Sequence, residues 1–157
     1  LTYKSKQLGY NPLIVSAGRK VNDDVSSRLV NSIVLHLVEN SLIKENLKIL
    51  ILGVTFKEDC PDTRNSKVLK IIDKFSKFPF DLSVVDPYIT PKTAKELNVK
   101  SSKKIDFNET YDVILLLVAH KEFKKLTAQE WAKLVKSKSF YFDLKGIIPR
   151  ELKPLRI

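Results

Sequence analysis

The sequence predicts an α/β fold in which a parallel sheet, wound by helices on both faces, follows a long helix. Three observations predict it. The stretches 47–52 (LKILIL) and 113–117 (VILLL) are apolar on both faces, the pattern of buried parallel strands. Helical patterns alternate with these and weaker strand patterns at the spacing that parallel crossovers need. Finally, Val21, Val25, Leu29, Ile33 and Leu37 recur every four residues with Val30, Val34 and Val38 beside them, a wide helical stripe.

In chain order, residues 1–10 read as the tail of a helix closing at Gly9. Asn11-Pro12 restarts it, with Asn11 as cap and Pro12 at the first helical position. The helix is expected to reach about residue 43, bent near Gly18 or the Asn22-Asp23-Asp24 cluster. At about 45 Å it is longer than a domain of this size needs, so it suits burial against a partner subunit, a missing domain or the chain's own sheet. Strand 47–52 follows, then helix 66–77 with Val68, Leu69, Ile71, Ile72 and Phe75 facing inward. Strand 80–85 ends at Asp86-Pro87, and a short helix occupies 90–97. A weak strand is expected at 99–101 and a strong one at 111–118, ended by Ala119-His120. Thr127 caps a helix over 128–136, and the last strand is 140–144. Together these make a Rossmann-like doubly wound parallel sheet preceded by a long helix.

With 157 residues the chain suits one domain with a proper core, and 43% hydrophobic with 29% charged residues is ordinary for a soluble protein. No apolar run spans a bilayer and no signal peptide is visible, so no membrane association is expected. The single cysteine, Cys60, excludes an internal disulfide and is compatible with a reducing cytoplasm. It reads as a non-catalytic loop cysteine, since the sequence shows no activating partner. His36 reads as an ordinary helix histidine, because one other histidine does not make a metal site. The chain contains no Met and starts at Leu1, which predicts a piece of a longer protein. A net charge of +10 raises nucleic-acid binding. Against it, no RNP aromatics, zinc-finger spacing or helix-turn-helix occur, and most lysines fall on polar helix faces.

Ligand chemistry is expected where strand ends share a rim, in loops 54–65, 119–125 and 145–150. The first loop carries Lys57 and Arg64, cations suited to a phosphate or to pairing with Asp59 and Asp62, with Phe56 beside them as a flat apolar wall. Lys145 can add a third cation. A dinucleotide fold would show G-x-G-x-x-G here, whereas Gly53 stands alone and the loop is too long. Asp86 occupies the position of the ribose-binding acid, but Asp-Pro is also a common turn starter.

The stretch GVTFKEDCPDTRNS resembles the nucleotide-sugar-binding signature of the UDP-glucose/GDP-mannose dehydrogenase family. LTYKSKQLGYNP, AGRKVND, VAHKEF and FDLKG, in the family's order, resemble its UDP-N-acetylhexosamine (galactosamine or mannosamine) 6-dehydrogenase branch. The resemblance implies an enzyme that oxidises the sugar C6 alcohol to a carboxylate in two NAD-dependent steps. It implies that residues 1–45 are the remnant of a central helical dimerisation region and residues 46–157 the UDP-sugar-binding domain. NAD would be bound by an N-terminal domain outside this sequence, and the Gly-Gly-His-Cys-type catalytic motif is absent, so the fragment is expected to be inactive alone. Carried over are Phe56 and Lys57 along the nucleotide sugar, Arg64 as the signature arginine and Lys145 as the basic position of FDLKG. No catalytic residue carries over, and a homodimer through the long helix is implied. A stand-alone nucleotide-binding or regulatory module is the alternative.

Overall fold

The computed structural model describes residue 4 and residues 7–156. Most of the expected helix tail at 1–10 lies outside them, although Lys4 and Gln7 are helical and Gly9 has φ +75°. The long helix, α1, runs unbroken over Leu13–Glu39, straight through Gly18 and the Asn22-Asp23-Asp24 cluster. It starts one residue later than expected. Pro12, at ψ 76°, occupies the cap position, and Asn11 contributes its backbone carbonyl rather than its side chain. It also ends earlier, in a Schellman turn: Ser41 takes a left-handed φ of 54°, its N–H donates to Val38 O, and Leu42 N–H donates to Leu37 O.

β1 (Leu47–Leu52), β2 (Phe80–Val85) and β4 (Tyr111–Leu116) are strands of six residues each. The sheet is completed by β3 (Lys100–Ser102) and β5 (Val135–Asp143), in the order β3-β2-β1-β4-β5, with every pairing parallel. The connecting helices are α2 (Lys67–Phe75), α3 (Pro91–Leu97), α4 (Lys121–Lys124) and α5 (Ala128–Lys133). The Ser66, Thr90 and Thr127 side chains each accept a first-turn amide, and Thr127 with Glu130 forms a reciprocal capping box. Most of these elements keep their expected places with ends shifted by one to three residues, and two differ more. β5 begins at Val135, where the end of the expected helix has already become strand, and α4 fills part of what reads as loop.

Alternation along the strands divides the core between two faces. Ile49, Ile51, Val84, Val113 and Leu115 meet α1 and α2, while Leu50, Leu52, Ile114 and Leu116 meet Phe123, Trp131 and Leu134. Only the second half of α1 joins this core: Leu29, Val30, Ile33 and Leu37 are buried, whereas Leu13, Ile14, Val21 and Val25 are exposed. The apolar stripe therefore covers the sheet at one end and faces outward at the other. Beneath the sheet, buried Asp112 accepts from the Lys48 amide and pairs with Lys44 and Lys136, which fastens the N-terminal ends of β1, β4 and β5.

Between β1 and β4 the order reverses, the switch point at which ligands bind in open parallel sheets. Gly53 leaves β1 there at φ +83°, and a Cβ at that position would lie 2.5 Å from the Val118 carbonyl oxygen. Its amide is spent on Val85 O, and Leu117 and Val118 both donate to Leu52 O.

Three substitutions test this packing by urea denaturation. Ile33→Ala, at a fully buried position, should cost about 2–5 kcal/mol, whereas Ile14→Ala, 89% exposed, should stay within about 0.5 kcal/mol. Gly53→Ala should cost about 2–5 kcal/mol, because the left-handed backbone and the contact with Val118 must both be relieved.

Candidate functional site

Asp86 ends β2 and is fully buried. Its Oδ2 accepts from the amides of Val54 (2.7 Å) and Thr55 (3.1 Å), and its Oδ1 from the Tyr88 amide (2.7 Å). His120, also fully buried, follows β4 with its Nε2 3.0 Å from Asp86 Oδ2 and 3.1 Å from Thr55 Oγ1. Its Nδ1 accepts the Asp59 amide at 3.0 Å. An amide can only donate, so Nδ1 is unprotonated and the ring proton sits on Nε2, directed at Asp86 and Thr55. The Thr55 hydroxyl in turn donates to Lys57 O, and Asp59 Oδ1 accepts the Lys121 amide. Burial pushes the Asp86 carboxyl up, but hydrogen bonds from His120 and the Val54 and Tyr88 amides outweigh it and hold the group below its ordinary value.

This arrangement bears on cofactor chemistry. The carboxylate that would meet a ribose hydroxyl in a dinucleotide site is turned into the protein and saturated with donors. Gly53 has no glycine-rich neighbours to bring backbone amides to a pyrophosphate. The rim of this sheet does not fit NAD.

Of the expected binding residues, Phe56 is 60% exposed and its ring lines a cleft of about 470 Å³ between α1 and the start of α2. Arg19, Asn22, Asn65, Lys67 and Lys70 line the same cleft. Asp23 also lines it and pairs with Lys67 at 2.8 Å, so three cations face one carboxylate and the cleft suits an anion. Lys57 is exposed beside Phe56 and makes no ion pair among the described residues. It does not pair with Asp59, whose carboxylate turns to the Lys121 amide. Arg64 instead forms a two-pronged pair with Asp62, Nε to Oδ1 at 3.0 Å and Nη2 to Oδ2 at 2.9 Å, which holds that carboxyl down at about 2. Lys145 reaches Glu58 at 3.8 Å, and Lys124 reaches the same carboxylate at 2.7 Å.

Arg64 and Lys145 are thus held by carboxylates of the 54–65 loop, Asp62 and Glu58, whereas Phe56 and Lys57 are exposed without such a hold. Asp143, buried at the end of β5, accepts the amides of residues 145–148 and the Arg156 guanidinium, which fixes the loop under Lys145. Sequence reasoning missed this clamp and the role of His120. The signals were a histidine closing the apolar run 113–119 and an Asp ahead of Leu-Lys-Gly. Cys60 is a half-buried free thiol. His36 lies against Phe140 with ring centroids 4.7 Å apart. Among the described residues no cluster of His, Cys, Asp or Glu could hold a metal, and no helix is long and apolar enough to cross a membrane.

Residues 50–150 match the model of the UDP-glucose/GDP-mannose dehydrogenase family, UDP binding domain. The chain belongs to this family. It is 32% identical over 157 residues to a UDP-N-acetyl-D-glucosamine 6-dehydrogenase of Pseudomonas aeruginosa, covering all of this chain and 37% of that protein. A UDP-N-acetyl-D-mannosamine dehydrogenase of Methanococcus aeolicus is 28% identical over 149 residues, covering 90% of this chain and 31% of its own length. The chain therefore spans about a third of the curated relatives it matches. In fold it is similar to a GDP-mannose dehydrogenase of Pseudomonas aeruginosa solved as a ternary complex, with TM-score 0.72 at 17% identity, covering 94% of this chain and 34% of that one.

The Asp86 network predicts a pH dependence. A carboxyl held below its unfolded value contributes fully above about pH 4, and the contribution is lost as pH falls through the lowered folded value. Asp86→Asn should lower stability at pH 7, since its NH2 would face amide donors, and should flatten the acid limb of a pH–stability curve. An acid limb as steep as the parent's would assign that limb to other carboxylates.

Proposed function

We propose that this chain is the UDP-sugar-binding part of an NAD-dependent nucleotide-sugar 6-dehydrogenase that takes a UDP-N-acetylhexosamine to its uronate in two successive oxidations. The observation that carries the reading is the exposed Phe56-Lys57 pair beside a cationic cleft at the strand ends. The volume suits part of a nucleoside diphosphate. In this reading Phe56 lies along the nucleotide sugar and Lys57 supplies charge to the diphosphate. Arg64 braces the loop through Asp62 rather than reaching ligand, and Lys145 borders the site through Glu58.

NAD and the hydride-transfer chemistry belong to an N-terminal domain outside this sequence, so the chain alone is inactive. Residues 1–45 are the remnant of the central dimerisation region, and residues 46–157 form the UDP-sugar domain. The outward apolar residues of α1 pack against a second copy in a cytoplasmic homodimer. Binding energy from the remote nucleotide then places the sugar C6 for chemistry performed elsewhere in the protein.

Calorimetric titration tests the reading. UDP should bind saturably and NAD should give no heat, while Lys57→Ala should weaken UDP about tenfold through loss of a charge-assisted contact. Binding of NAD without UDP, or UDP affinity untouched by Lys57→Ala, would overturn it.

A further inference from the structure

We propose that His120 is the positioning residue for the Phe56-Lys57 pair, setting ligand affinity through a ring that touches no ligand. Its two ring nitrogens hold the two ends of one short span. Nε2 meets Thr55, whose hydroxyl also bonds Lys57 O, and Nδ1 takes the amide of Asp59. Of the residues between these anchors, Phe56 and Lys57 are exposed, and Glu58 is half-buried against Lys124 and Lys145. The span needs such a hold. Asp59 sits at φ +54°, a left-handed conformation that costs a non-glycine residue energy unless its surroundings enforce it. Its amide, given to Nδ1, and its carboxylate, given to the Lys121 amide, supply that enforcement from the β4 side.

The ring is itself immobilised. It is fully buried, its Nε2 faces the Asp86 carboxylate, and Tyr88 and Phe123 lie against it at 5.1 and 5.6 Å between centroids. One neutral imidazole thus transmits the position of three strand ends to the exposed pair. The two nitrogens carry separable tasks: Nε2–H ties the ring to Asp86 and the sheet, whereas the Nδ1 lone pair governs the loop.

The inference rests on the UDP-sugar reading for its ligand, and two amide side chains separate it from a plain core role. Asparagine reaches only the Nδ1 position and can still accept the Asp59 amide. Glutamine reaches the Nε2 position and can still donate to Asp86. His120→Asn should therefore lose stability in urea yet keep Asp59 amide exchange and UDP affinity within about threefold of the parent. His120→Gln should be the more stable of the two, yet exchange the Asp59 amide about tenfold faster and bind UDP about fivefold more weakly. UDP affinity falling in step with stability in both variants, or unchanged loop exchange in His120→Gln, would overturn the proposal. Failure of the parent chain to bind UDP would instead sink the functional reading. Amide exchange alone would then decide the hold on the span: faster in His120→Gln than in His120→Asn upholds it, and equal rates overturn it.

Discussion

The ionised carboxylate of Asp86 is the constraint on which the rim of this sheet depends. Fully buried, it must be matched by donors, and it is: two amides from the chain leaving β1, one from the turn after β2 and the ring of His120. The four donors come from three strand ends, so satisfying one charge sets the mutual positions of β1, β2 and β4 where they stop. The same economy appears at β5, where Asp143 gathers four successive amides and Arg156. Two buried aspartates thus shape the loops, and the exposed cations are arranged upon them.

This division explains why the basic residues of the rim differ in what they can do. Arg64 is occupied by its neighbour Asp62, and Lys124 and Lys145 share Glu58. Lys57 remains exposed beside an exposed aromatic ring. Arg19, on α1, and Lys67 and Lys70, on α2, lend positive potential to the cleft beside that ring. Recognition of a nucleoside diphosphate, in the reading proposed above, would rest on Lys57, which makes no ion pair among the described residues, rather than on Arg64, Lys124 and Lys145, which carboxylates already hold.

The long helix carries the same lesson at larger scale. Its stripe is continuous in sequence, but the sheet covers only the half containing Leu29, Val30, Ile33 and Leu37. The first half leaves Leu13 and Ile14 in solvent, and it also contributes Arg19 and Asn22 to the cleft. One element thus closes the core, lines the candidate site and offers an apolar face outward.

The strands were legible in the sequence by themselves, because a strand buried on both faces is apolar at most of its positions, and β1 and β2 carry their expected limits. The helix cap at Thr127 was legible for an equally local reason, an oxygen placed where the first-turn amides need one. So was the family, through GVTFKEDCPDTRNS and the motifs around it. What only the tertiary structure decided involves residues far apart in the chain. Asp86 and His120 are 34 positions apart and His120 and Asp59 are 61, so no local pattern marks them as one network. The pairing of Arg64, the sharing of Glu58 and the uncovering of half of α1 were likewise settled by what the fold brings near. Local periodicity reports which faces must leave water, but which buried charge meets which donor is decided only when the strand ends converge.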